Sequence, residues 1–139
     1  MVRKQRTAKA TQAEAVKFKA KALQYRKAME LSHDAKLWDA AVSNAVHAVI
    51  LMANAVSIRH SGEYFIGQDH NQASSYLEEV VNTEEASKAA KQMQAIIRFK
   101  GLVEYEARSC TAKESGEIAK RVERFFSWAE KQIPSRNRR

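Results

Sequence analysis

Four histidines and one cysteine are the side chains best suited to acid–base, nucleophilic or metal chemistry in this chain of 139 residues. The histidines form no His-Glu-x-x-His arrangement, a single cysteine cannot anchor a cysteine-type zinc site, and no glycine-rich phosphate loop is present. We therefore predict no metal site and no cofactor. His47 stands apart, because it lies midway along a nearly apolar segment with Asn44 one turn earlier. A buried imidazole needs hydrogen-bond partners, so His47 is either a satisfied core or interface residue or part of a pocket or switch.

Cys110 directly follows Arg108 and Ser109 and precedes a predicted helix start. The arginine and the helix N-terminus would both lower the pKa of the thiol. The sequence places no base beside it, so we expect an inert thiol. A single cysteine also excludes the class of secreted mini-domains that intrachain disulfides stabilise.

The segment RFKGLVEYEAR (residues 98–108) combines cations with aromatic rings. Arg98 and Tyr105 fall on one helix face at a spacing of seven, and an arginine beside a tyrosine can bind a phosphate. The alternative is that Arg98 pairs with Glu104 or Glu106, or lies at a dimer seam. The candidate nucleotide- or RNA-binding residues are Arg98, Lys100, Tyr105, Arg108, His47 and Asn44.

The net charge of +8 is concentrated at the ends of the sequence. Residues 1–27 carry +8, residues 28–131 carry −3, and residues 132–139 carry +3. Basic ends can bind phosphate backbones of RNA or DNA without reading the sequence, although a solvated tail that keeps a protein soluble has the same composition. The candidate tail contacts are Arg3, Lys4, Arg6, Lys9, Arg136, Arg138 and Arg139.

A few long helices are expected to position these groups, because 4 Gly and 1 Pro leave too few turn signals for a many-stranded sandwich. Apolar spacing and capping residues predict helices from Thr11, over 35–59, over 70–81, from about 84 to 107, and from 112 to 133, with Asp34 as the cap of the second helix. We predict an all-α fold, a single up-and-down bundle of about five helices. The bundle would span residues 12–133, between a disordered basic tail (1–11) and a basic C-terminal tail (134–139).

The sequence indicates a soluble, cytoplasmic protein. No apolar run follows the basic N-terminus, and the most apolar stretch, residues 40–58, contains several polar residues and is expected to be a buried helix. We also expect a homodimer. The adjacent Phe125 and Phe126 point in different directions on a helix, so at least one of them should face a second surface.

Five short segments occur in an order that resembles the HEPN superfamily (higher eukaryotes and prokaryotes nucleotide-binding), specifically its small stand-alone prokaryotic members. These segments are WDAAVSNAVHA (38–48), GQDHNQA (67–73), RFKGLVEYEAR (98–108), TAKES (111–115) and FFSWAE (125–130). The resemblance implies an α-helical bundle that commonly dimerises. It also implies either an RNA-cutting toxin or a non-catalytic partner or RNA-binding module.

The nuclease motif of that family is an Arg, four to six residues, then a His, often with a Tyr two residues further on. Arg98 and Tyr105 match the Arg and the Tyr, but the His position falls on Val103. Valine cannot move a proton, so the resemblance favours a protein that is not an enzyme. A second formal match, Arg26 to His33, lies on the first helix, where the family does not place its site.

The leading hypothesis is a non-catalytic HEPN-like protein that binds a partner protein or RNA, as a component of a toxin–antitoxin or defence pair whose partner is encoded nearby. One alternative is a metal-independent ribonuclease that uses Arg98 with a histidine supplied from elsewhere, such as His47, His70 or a dimer mate. Another is a sequence-nonspecific nucleic-acid-binding module that uses the basic tails. No membrane partner is expected.

Overall fold

A computed structural model describes residues 6–133 of the chain. Within that range the fold consists of six helices and two short strands. They are β1 (Thr7–Lys9), α1 (Gln12–Asp34), α2 (Trp38–Ser61), β2 (Glu63–Phe65), α3 (His70–Val81), α4 (Glu84–Ile97), α5 (Phe99–Tyr105) and α6 (Ala112–Gln132). The prediction of an all-α bundle is confirmed.

The central element is α2, which packs against all five other helices and against β2. Its side chains supply much of the fully covered core, including Val42, Val49, Met52 and Val56. By length and composition α2 could cross a membrane, but 67% of its apolar window is buried inside the bundle. That burial is typical of the core helix of a soluble protein.

Threonine caps begin three of the helices where the sequence predicts helix starts. Thr11 and Thr111 form capping boxes with Glu14 and Glu114, and the Thr83 hydroxyl accepts a hydrogen bond at the start of α4. These caps satisfy backbone N–H groups that have no partner inside the helix.

The predicted boundary between the first two helices is wrong. Asp34 is not a cap but the last residue of α1, because the backbone N–H of Ala35 still donates to the Leu31 carbonyl at 3.0 Å. The chain reverses through Lys36, which has a left-handed φ of 62°, and α2 begins after Leu37 without a side-chain cap.

The helix predicted from about 84 to 107 is two helices. The chain turns at Arg98, where α4 ends and α5 begins. The turn keeps Leu102 in the common core, while Tyr105, at the end of α5, is exposed.

The N-terminal segment predicted to be disordered to residue 11 is ordered over residues 7–9. Strand β1 pairs antiparallel with β2, with Ala8 opposite Tyr64, and the Thr7 hydroxyl donates to Glu63. Ladder hydrogen bonds and the burial of Phe65 hold this short ribbon on the bundle. The predicted tail residues Arg3, Lys4, Arg136, Arg138 and Arg139 lie outside the described residues.

Phe125 and Phe126 are both fully buried, with ring centroids 6.4 Å apart. Helix α6 contacts α1, α2 and α4, so it is covered on more than one side. The Arg26 guanidinium of α1 lies 4.9 Å from the centre of the Phe126 ring. The expectation that one of these rings must face outwards is therefore wrong, and the homodimer stays a prediction without that support.

Candidate nucleic-acid interface

His47 is exposed rather than buried. It lies on a stripe of α2 that remains accessible between its neighbours, and its ring stacks against Tyr25 of α1 with centroids 5.2 Å apart. One turn earlier, the Asn44 amide donates to the Ser32 hydroxyl at 3.3 Å. The two rings are tilted by 39° to each other, and both residues are exposed on adjacent helices.

Helix α5 adds a cation and a more exposed ring. The Lys100 ammonium donates to the Glu104 carboxylate at 3.1 Å and lies 5.9 Å from the centre of the Tyr105 ring. Tyr105 is 79% exposed, so packing within the described residues does not explain its presence. The hydrogen bond from Lys100 lowers the pKa of the Glu104 carboxyl.

His70, the first residue of α3, joins these groups. Burial and then the charge of Lys100 lower the pKa of His70, while the charge of Asp69 opposes that shift. The charge of His47 makes a small contribution to the lowered pKa of both His70 and Glu104, and α2 packs against both α3 and α5. We call this surface the aromatic face; it consists of Tyr25, His47, His70, Lys100 and Tyr105.

The two arginines of the predicted site do not form ion pairs with the aromatic face. Arg98 is exposed at the junction of α4 and α5 and makes no side-chain hydrogen bond or ion pair with any residue between 6 and 133. The predicted alternative of an Arg98 pair with Glu104 is wrong, because Lys100 takes that carboxylate. Arg108 instead donates twice to Glu114 at 3.1 Å, and these bonds raise the pKa of its guanidinium.

At the two matches to the nuclease motif, Val103, Arg26 and His33 are engaged in packing or hydrogen bonding within the bundle. Val103, at the family's histidine position, packs partly buried against the core. In the second match, Arg26 lies over Phe126, and the His33 ring lies 2.7 Å from the Ser115 hydroxyl. Each of these residues has a packing or hydrogen-bonding role in the bundle.

Cys110 is buried, and its backbone N–H donates to the Asp39 carboxylate at 2.7 Å. Burial and the neighbouring Asp39 raise the pKa of the Cys110 thiol to about 11. Arg108 lowers the pKa as expected, but burial and Asp39 outweigh it, so the expected net lowering is wrong. A thiol that stays protonated at neutral pH is a poor nucleophile, in line with the inert role that the sequence predicted.

Two open depressions lie away from the aromatic face. One of about 360 Å³ is formed at the turn between α1 and α2 by residues that include Trp38, Asp39 and Cys110. The other, of about 440 Å³, lies between α1 and α6 beside Met29 and Arg124. Residues 6–133 contain no group of three or more metal-ligating side chains that could hold an ion.

Sequence reasoning did not include Tyr25 in the candidate site, and it named His70 only as a histidine that could serve the alternative ribonuclease. A usable signal for Tyr25 is its spacing of four from Lys21 and of eight from Lys17, both exposed, which places it on a solvated row. For His70, its proximity to Lys100 depends on long-range packing that the sequence does not encode locally.

Comparison of the chain with protein-family models, with curated proteins and with solved structures gives no match.

Proposed function

We propose that this protein is a non-catalytic, HEPN-like cytoplasmic protein that binds single-stranded RNA through the aromatic face. The observation that carries the proposal is the exposure of Tyr105 beside Lys100, together with the exposed Tyr25–His47 pair on α1 and α2. Single-stranded nucleic acids are bound by aromatic rings that stack on unpaired bases and by cations that contact the phosphates.

Each part of the face has a role in this proposal. Tyr105 and the Tyr25–His47 pair offer surfaces on which bases can stack, and such stacking contributes about 1–3 kcal/mol per base. Lys100 supplies a cation, but its pair with Glu104 holds part of that charge inside the protein. We therefore expect stacking to contribute more to affinity here than charge.

The proposal excludes catalysis at the family's motif because Val103 occupies the position of the proton-transfer histidine. The role as a component of a toxin–antitoxin or defence pair, with a partner encoded nearby, rests on the family resemblance alone. The homodimer belongs to the same proposal, and light scattering tests it against the monomer mass of 15.7 kDa.

A second candidate function is metal-independent RNA cleavage. One observation favours it, which is that the charge of Lys100, and to a smaller extent that of His47, lowers the pKa of His70. One imidazole could take the 2′-hydroxyl proton and the other could protonate the leaving 5′-oxygen. The 2′-oxygen–phosphorus bond would form while the bond from phosphorus to the 5′-oxygen breaks, giving a 2′,3′-cyclic phosphate.

Fluorescence anisotropy with a labelled, unstructured RNA at low ionic strength tests RNA binding. Replacing Tyr105 or Tyr25 by Ala should weaken binding by roughly 5- to 100-fold each, because each ring stacks on one base. The matched controls are Tyr105→Phe and Tyr25→Phe, which keep the ring and should bind as the parent protein does. Unchanged affinity in both Ala variants would reject the aromatic face as the binding surface.

The same reactions test cleavage. After incubation with a chelator present, we expect the RNA to remain intact. Products that end in a 2′,3′-cyclic phosphate and disappear in His70→Ala and His47→Ala would instead establish the ribonuclease. Loss of cleavage only in Arg26→Ala or His33→Ala would move the site to the second motif.

A further inference from the structure

The basic segments of the chain meet at one corner of the bundle, although they are far apart in the sequence. The Gln12 side chain at the start of α1 donates to the Ile58 carbonyl near the end of α2 at 3.0 Å. His60 of α2 lies 3.0 Å from Gln132 at the end of α6. Strand β1, just before α1, pairs with β2, just after α2. The first and last described turns of the chain are therefore neighbours.

Several basic side chains lie at this corner, and none of them forms an ion pair with another residue between 6 and 133. Lys19 uses its ammonium to bind the Ile133 carbonyl at 3.4 Å, while the others are exposed. We call this surface the basic corner; its described members are Arg6, Lys9, Lys19, Arg59 and Lys131.

The sequence adds further cations on both sides of the described range. Arg3 and Lys4 precede Arg6, and Arg136 follows Ile133 by three residues, which is at most about 11 Å of chain. Arg138 and Arg139 come next.

The basic corner offers charge without stacking surfaces. Its two rings, Phe18 and Tyr64, stack on each other with centroids 5.0 Å apart and are partly buried. A surface of unpaired cations with no exposed aromatic ring can contact phosphates but cannot hold unpaired bases.

We propose that the basic corner is a second binding surface, which holds the phosphate backbone of double-stranded nucleic acid without reading its bases. A duplex fits because its closely spaced phosphates release many counterions when several cations meet them. This proposal does not rest on RNA binding by the aromatic face, which uses other residues and a different ligand.

Acidic residues limit the footprint on one side. The hydroxyls of Tyr76 and Ser61 lie 3.0 Å apart, which places the C-terminal half of α3 next to the corner. Glu78 and Glu79 lie near the end of α3, Glu84 and Glu85 begin α4, and Glu63 of β2 lies opposite Lys9 in the ribbon. These glutamates repel phosphates, so the duplex should lie across the side formed by β1 and the ends of α2 and α6.

The test measures affinity for a duplex DNA of mixed sequence over a range of salt concentrations. Each lost phosphate contact should reduce the slope of log affinity against log salt by about 0.9. The double variant Arg59→Ala/Lys131→Ala should therefore lower the slope by about 1.8. The matched control is Lys36→Ala/Lys113→Ala, which removes two exposed lysines at the opposite end of the bundle and should leave the slope unchanged.

Four outcomes would overturn the proposal. They are no duplex binding at low ionic strength, equal slopes in the corner and control variants, loss of duplex binding in Tyr105→Ala, and binding to anionic vesicles but not to DNA. Unchanged melting temperatures show that each variant is folded. Binding of unstructured RNA, measured separately, shows whether the aromatic face fails independently.

Discussion

The aromatic face and the basic corner use opposite arrangements of the same residue types. On the aromatic face the lysine is paired, since Lys100 binds Glu104, while Tyr105 is exposed. At the basic corner Arg59 and Lys131 are exposed without an ion pair to a described residue, while Phe18 and Tyr64 cover each other. One surface is suited to unpaired bases and the other to phosphates.

The comparison shows why net charge alone is a poor guide to a nucleic-acid surface. Charge that is neutralised within the protein contributes little to the release of counterions, whereas a ring that is already packed cannot stack on a base. Whether the cations or the aromatic rings of a surface are already paired within the protein therefore determines which ligand that surface can bind.

Removing both surfaces together should have the largest effect. Tyr105→Ala and the pair Arg59→Ala/Lys131→Ala should each weaken binding of an RNA hairpin with a single-stranded extension by about tenfold. Because the two surfaces share no residues, the combined variant should lose about a hundredfold in affinity by anisotropy. If the combined variant binds as tightly as the weaker-binding of the two variants that alter one surface each, the two surfaces are one site.

Two deletions test whether strand β1 stabilises the fold. Deletion of residues 1–5 should leave the melting temperature unchanged, because β1 remains. Deletion of residues 1–10 removes β1 and its ladder with β2, and should lower the melting temperature on the order of 10 °C. Differential scanning calorimetry distinguishes them, and equal melting temperatures would mean that the ribbon adds no stability.

A change of pH should affect the aromatic face through His70. The folded state lowers the pKa of His70, so the unfolded chain binds this proton more readily. The associated stability is fully present above the ordinary pKa of 6.5 and is lost as pH falls from there through the lowered value. Because His70 is partly exposed, we expect a loss of less than about 1 kcal/mol between pH 7.5 and pH 5.

Chemical denaturation at both pH values measures this loss, and His70→Gln should reduce it. Nuclear magnetic resonance should place the titration midpoint of His70 below 6.5. A midpoint above 6.5 would contradict the burial of this imidazole.

The smallest expected effect comes from making the aromatic face resemble the basic corner. Glu104→Gln removes the carboxylate that pairs with Lys100 and frees the ammonium for a phosphate. Affinity for unstructured RNA should rise by about threefold, and the slope against salt should steepen by about 0.7. Anisotropy titrations measure both quantities, and weaker binding would indicate that Glu104 itself contacts the RNA.

Much of the fold could be predicted because its signals are local. Thr11 and Thr111 each stand three residues before a glutamate, and these capping boxes form as the sequence indicates. The boundary near Asp34 failed because a good capping residue can also end a helix when the preceding carbonyls still find partners. The ribbon of β1 and β2 was not predicted for another reason. Its two strands are more than fifty residues apart in the sequence, so no local pattern indicates that they pair.

The site could be predicted only in part. Lys100 and Tyr105 were found because they lie close together in the sequence, and His47 because it interrupts an apolar run. Its burial was mispredicted, since an apolar composition does not reveal which stripe of a helix its neighbours leave open. The basic corner depends on the meeting of three helix ends, which no local pattern encodes.

The buried thiol of Cys110 gives this protein an intrinsic probe of local opening. With a pKa of about 11, the thiol is almost entirely protonated at pH 8, and Cys110 is only 3% exposed although it lines the depression beside Trp38. Modification by a thiol reagent must therefore wait for an opening event, and its rate under native conditions reports how often that event occurs. The α5–α6 connection can thus be followed in time without introducing a label.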